Sequence, residues 1–222
     1  MLTTVIGDLL PSALGVALSP VPIIAVLLVL GSPRARAQGT AFALGWILGL
    51  VVVSVVVVLV SGAREPPDEP SALLGWIKIT FGGLFLFLAT KQWRSRPAPG
   101  EEPETPAWMD AMDTMATPRT SLVGAALSGL NPKNLALTLA ATATIGQTAL
   151  SGPATAVSIG VFVFVGSLTV AGPVVVYLVV PDRSATPLAS IKEFMSAHNA
   201  AIMMIVLLLL GARLLGKGLA AV

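Results

Sequence analysis

The stretch from residue 41 to residue 60, AFALGWILGLVVVSVVVVLV, runs for twenty positions without one charged side chain. At 1.5 Å per helical residue it covers about 30 Å, the thickness of a bilayer's hydrocarbon core. Six segments are long and apolar enough to span the core: residues 5–30, 39–61, 71–90, 121–150, 153–180 and 196–218. The first, fourth and fifth are longer than one crossing needs. The first and fourth also contain helix breakers, Pro20 and Pro22 in one, Gly129 and Pro132 in the other. The expected fold class is therefore all-α and polytopic, with six transmembrane helices of which the first and fourth are broken.

Composition narrows the function. With 55% hydrophobic and 11% charged residues and a mean hydropathy of +0.89, the chain would precipitate as a soluble globule. A net charge of +2 without a long basic run gives no footprint for a nucleic-acid partner. Having no cysteine, the chain can form no disulfide, thiolate metal site or dithiol relay. It has no Walker loop and too few intramembrane histidines and carboxylates for a transition-metal path. The expectation is a protein that is not an enzyme and has no cofactor, metal or catalytic residue. The start, MLTTVIGDLLPSALG, lacks a basic region and a small-residue cleavage site, so the first span is expected to stay in the protein.

Cations set the expected orientation. Arg34 and Arg36 follow span 1. Lys91, Arg94, Arg96 and Arg119 follow span 3, and Arg183 and Lys192 follow span 5. The other side holds Arg64, Arg213 and Lys217, so the three basic loops are expected in the cytoplasm and both termini outside. Residues 91–120 read as a cytoplasmic linker: KQWRSRPAPGEEPETP is extended and coreless, and AWMDAMDTM places Trp108, Met112 and Met115 on one face of an interfacial helix over 106–117. That helix reads either as a plain surface cover or as a gate. SATPLASIKEFMSAH reads as a second interfacial helix.

The stretch ALSGLNPKN sets Asn131, Pro132, Lys133 and Asn134 inside span 4. Residues 14–19, LGVALS, match 123–128, VGAALS, and each copy runs on into proline. Residues 1–90 and 121–222 would then be two three-span repeats. An odd number of spans inverts them across the membrane, and broken helices in matching positions mark a transport site. Pro132 frees carbonyls near Ser128, a cost in hydrocarbon unless they are buried in protein or line a wet cavity. Lys133 would lie roughly 18 Å deep, where an ammonium costs about 3 kcal/mol or more. Ser19, Pro20, Pro22, Ser128, Asn131, Pro132, Lys133 and Asn134 thus form the candidate pocket for an anionic head group. The alternative is that Lys133 snorkels or pairs with a carboxylate and only fixes packing. Asp8 and Lys78 form a candidate intramembrane pair, structural or proton-coupled. His198 reads as an interfacial cap or a proton relay, and Gln147, Thr138, Thr142 and Thr144 as helix-to-helix hydrogen bonds.

The segments LPSALGVALSPVPIIAVLLVLGSPRARAQGTAFALGW, GWIKITFGGLFLFLATKQWRSRP, PAWMDAMD and LSGLNPKNLALTLA resemble the glycolipid-addressing, or sulfolipid-addressing (Sap), family of the lysine-exporter (LysE) superfamily over nearly the whole chain. The resemblance implies a bacterial inner-membrane protein that moves glycolipids or their precursors toward the outer envelope. It maps the superfamily's break onto Asn131, Pro132 and Lys133 and the family's first break onto Ser19, Pro20 and Pro22. The thiol-relay branch depends on cysteines that are absent here.

Three functions stay open on the sequence. The first is a secondary transporter exporting a glycolipid, lipid-linked or other anionic envelope precursor, with membrane lipids, a second copy of the chain and envelope-lipid export machinery as partners. The second is an exporter of small soluble solutes such as amino acids or cations. The third is a non-transporting scaffold of an envelope lipid assembly. A lipid carrier should have a laterally open groove between spans, a small-solute exporter a closed cavity, and a scaffold neither.

Overall fold

The computed structural model describes residues 1–62, 72–95, 115–148, 150–220 and 222, and every regular element among them is an α-helix. They are α1 (Leu2–Ala17), α2 (Pro20–Leu30), α3 (Ala35–Gly62), α4 (Ala72–Arg94), α5 (Thr117–Gly129), α6 (Pro132–Gln147), α7 (Gly152–Val179) and α8 (Pro181–Leu219). Three helical stretches, Ala35–Ser61, Gly152–Val179 and Thr186–Gly216, are long and apolar enough to cross a membrane. A fourth crossing results if α1 and α2 are taken as one span bent by 54°.

The bend has a local cause. Pro20 and Pro22 lack the N–H groups that would bond the carbonyls of Val16 and Leu18, so the ladder stops at Ala17 and restarts at Pro20. Ser19 caps the new helix in an extended conformation, φ −94° and ψ 106°. The same happens between α5 and α6: Asn131, φ −64° and ψ 120°, is the cap and Pro132 the first helical residue. Proline is favoured at that position because the missing donor would have had no partner there. The two breaks therefore align as Leu18–Ser19–Pro20 and Leu130–Asn131–Pro132. This register is shifted by three residues from the LGVALS/VGAALS match, which would set Ser19 against Ser128. What recurs is the cap and its proline.

The chain forms two compact units: Met1–Arg64 with Glu104–Met195, and Glu65–Pro103 with Ser196–Val222. In the first, α3 packs most extensively on α5, and the two run parallel. Glycines set their separation. A Cβ on Gly124 would collide with the Phe42 carbonyl oxygen, and one on Gly45 with that of Ser121. Small residues at such crossings let backbones meet in a bilayer, where packing replaces the hydrophobic effect as the driving force. α7 packs along α1 in parallel, Gly166 lying against Val16 and Leu50, while Gly15 faces Leu137 where α1 and α6 run antiparallel. The core of this unit is Leu9, Val16, Phe42, Trp46, Leu50, Ile145 and Phe162. Gln38 is fully buried at the α2–α3 turn. Its Nε2 donates to the Met115 carbonyl (2.6 Å), and its Oε1 faces the Ser32 hydroxyl at 2.5 Å. In the second unit, α4 and the C-terminal part of α8 cross antiparallel at Gly82 and Gly211, whose Cβ would lie 2.9 Å from the Gly82 carbonyl oxygen.

Two expectations change. SATPLASIKEFMSAH is not a separate surface helix but part of α8, which runs unbroken through Pro187. Thr142 and Thr144 bond not across helices but to their own helix, at the carbonyls of Thr138 (2.6 Å) and Ala140 (3.1 Å). A hydroxyl one turn above a carbonyl reaches it without any neighbour. The 106–117 helix falls, up to residue 114, outside the described residues, as do Arg64, Arg96 and the Gln147 side chain.

Candidate functional site

The two breaks meet; the first is completed by side chains from elsewhere in the fold, the second by its own. The Leu18 carbonyl, whose helical partner would be the absent N–H of Pro22, accepts from Lys133 Nζ at 3.4 Å. The Ala17 carbonyl accepts from the Thr169 hydroxyl of α7 at 2.6 Å. In the other break, the Leu127 carbonyl accepts from Asn134 Nδ2 at 3.0 Å. The Ser19 hydroxyl donates to Asn134 Oδ1 at 2.6 Å, joining the two helix starts directly. Asn131 holds its own break, its Oδ1 accepting from the Lys133 amide at 3.1 Å. Buried backbone groups must find partners, and these side chains supply them.

Lys133 is the buried charge of the junction, 6% exposed. An ammonium carries three donors, and among the described residues one of them is used, in the long bond to Leu18. The electrostatics around it are divided. Lys133 sits in the first turn of α6, where the helix dipole opposes a cation, and against the last carbonyls of α1, where it favours one.

Ser19, Pro20, Pro22, Lys133 and Asn134 are all buried here, while Asn131 is half-buried and Pro132 exposed. Ser128 does not join them. It is buried, but its hydroxyl donates to the Ala125 carbonyl (3.0 Å) and faces Gly49 of α3. Asp8 is exposed on α1, and the Lys78 side chain lies outside the described residues, so nothing is described of that pair. His198 is exposed and is not without a partner. Thr169 is a participant the sequence reading missed. Its sign is a hydroxyl, one of two with Ser167, in the mostly apolar middle of span 5, GSLTVAGP.

Beside the junction, an open groove of about 780 Å³ runs between α3 and α7. Ile47, Val51 and Val55 form one wall, and α7 residues from Ala156 to Val176 form the other. No charged residue lines it. Ser167, the polar member of its lining, is two positions from Thr169, and so lies within a helical turn of the Ala17 break.

A model of the family described as Sap, sulfolipid-1-addressing protein, matches residues 9–220. No curated protein and no solved structure matches the chain.

Proposed function

The chain belongs to the sulfolipid-1-addressing protein family and is a membrane protein of lipid export or addressing, and from that premise we propose that it carries an anionic lipid across a bacterial inner membrane. The observation that carries the proposal is the meeting of two broken helices around a buried, under-coordinated ammonium. An anionic head group entering the junction would take the two donors that Lys133 leaves unused, and its charge would offset the cost of burying the cation. Spare hydrogen-bonding capacity at a helix break is what a carrier needs, because the site must also release its cargo.

The same reading takes the chain as six spans in two inverted repeats, with both termini outside. Three observations support the inversion. Each break has a cap residue followed by proline. Span 2, as α3, runs parallel to the first half of span 4, and span 5, as α7, runs parallel to the first half of span 1. The broken spans themselves pass antiparallel, as inversion requires. The lateral groove favours a lipid over a small soluble solute, which would call for a closed cavity.

The test is Lys133→Met, which keeps the stem and removes the charge. The variant should insert normally, melt in detergent at or above the parent's temperature, and lose most of its export of anionic lipid to the cell surface. Relief of burial is worth about 3 kcal/mol by insertion scales. Lys133→Arg should export partly, because a planar fork does not fit where a point charge sits. Normal export by Lys133→Met would refute the pocket. A variant that fails to fold would make the lysine structural.

A further inference from the structure

The groove between α3 and α7 has a shape and a chemistry that the junction does not explain. Its α7 wall, from Ala156 to Val176, is twenty helical positions long, about 30 Å, the full depth of a bilayer core. A groove of this length, open along one side, takes an extended hydrocarbon chain, about 4–5 Å across at carbon contact distances.

The floor of the groove has been kept open. Gly160 and Gly172 are both among its lining residues, and a Cβ at either would meet nothing within 4 Å. Ser167 lies between them. It is 4% exposed, and its hydroxyl oxygen is buried without a hydrogen-bond partner among the described residues, though helical hydroxyls elsewhere on α7 do find one, as Ser158 does at the Ala154 carbonyl. A buried hydroxyl without a partner is costly, and an acceptor supplied by a ligand removes that cost.

Resting on the carrier reading above, we infer that this groove is the tail subsite of the carried lipid. One acyl chain lies along α7, and the ester or amide carbonyl joining chain to head group accepts from the Ser167 hydroxyl. Thr169, two residues on, ties α7 to Ala17, and the next carbonyl, Leu18, holds Lys133, so the groove and the junction lie at one level of α7, on different faces of that helix. The wholly apolar remainder of the lining suits a hydrocarbon chain.

The test uses the full chain in nanodiscs, with phosphatidylglycerol carrying a diazirine in mid-chain as the probe. Crosslinks in the parent should concentrate on Val51, Val163 and Leu168. Gly160→Phe should cut their yield about tenfold or more, since excluding even two methylenes has that effect on affinity. Gly7→Phe, also at an open glycine but on α1 outside the groove, should leave it unchanged. Ser167→Ala should abolish the preference for ester-linked over ether-linked probe. The chain has no native cysteine, so a single Ala171→Cys reports on a second copy directly. Crosslinks spread evenly over exposed residues such as Leu44 and Val60 would mean ordinary boundary lipid and overturn the inference. So would a disulfide dimer of Ala171→Cys, which would put another copy in the groove. An unchanged ester preference in Ser167→Ala would overturn the assignment of that hydroxyl. In cells, Gly160→Phe should export poorly. Normal export with the groove filled would refute the tail subsite alone, because the head-group reading stands or falls separately on Lys133→Met. Lys133→Met should retain the groove crosslinks while losing export.

Discussion

Asn134 is the residue on which the two breaks depend most, and replacing it gives a stability effect that can be worked out bond by bond. Its side chain, fully buried, accepts from Ser19 at 2.6 Å and donates to the Leu127 carbonyl at 3.0 Å. Asn134→Leu removes both bonds with little change in length and strands the Ser19 hydroxyl and the Leu127 carbonyl. Hydrogen bonds between membrane helices have measured at about 0.6 kcal/mol on average and 1.7 at most, so two should cost about 1–3 kcal/mol. Ser19→Ala removes only one, about 1 kcal/mol. The informative quantity is the double variant. With Ser19 already gone, Asn134→Leu can lose only the Leu127 bond. The two losses should therefore fall short of adding by about 0.6–1.7 kcal/mol. Equilibrium unfolding of the purified protein in mixed micelles, for the parent, both singles and the double, measures this directly. Additivity within about 0.5 kcal/mol would refute a direct Ser19–Asn134 link and with it the argument that the breaks are stitched to one another.

Other expectations follow from packing and orientation. Gly124→Ala sets a Cβ against the Phe42 carbonyl oxygen of α3. Backbone cannot yield as a side-chain tip can, so the variant should lose about 1–3 kcal/mol in the same unfolding assay. A neutral result would mean that the helices can separate there freely. Cysteines placed singly at Thr3 and Ala220 should react with an impermeant reagent on intact cells, and one at Ser95 should not. Labelling of Ser95 alone would invert the proposed topology.

Much of the fold was legible because membrane helices write themselves in long apolar runs, and proline marks where they break. The α1–α2 break fell at Pro20 and the α5–α6 break at Pro132, as the sequence suggested. The register between the two did not follow from letters. LGVALS and VGAALS match in the helix bodies, where small and apolar residues are interchangeable, whereas the backbone registers the copies by cap and proline at Ser19–Pro20 and Asn131–Pro132. Hydrogen-bond partners were legible only where they are local. The Asn131 cap lies two residues from its donor. The link between Thr169 and Ala17 spans 152 residues and that between Ser19 and Asn134 spans 115, so both exist only once the helices have packed. Thr142 and Thr144 were misread for the converse reason: a carbonyl one turn back in their own helix is within reach before any packing.

The three freed carbonyls at the junction also bear on why a charge is there at all. Leu127 is satisfied by an amide, Ala17 by a hydroxyl and Leu18 by an ammonium. All three acceptors are the same chemical group, each stranded where the helical ladder stops, and two of them make do with neutral donors. A neutral donor at position 133 would serve Leu18 equally well and would avoid an ion-burial cost of about 3 kcal/mol. The present bond is long, 3.4 Å, and among the described residues it uses one of the ammonium's three donors. Folding therefore accounts for a donor at that site but not for its charge. What an ammonium adds over an amide is attraction for an anion, which is the role that the proposed carrier function gives to Lys133.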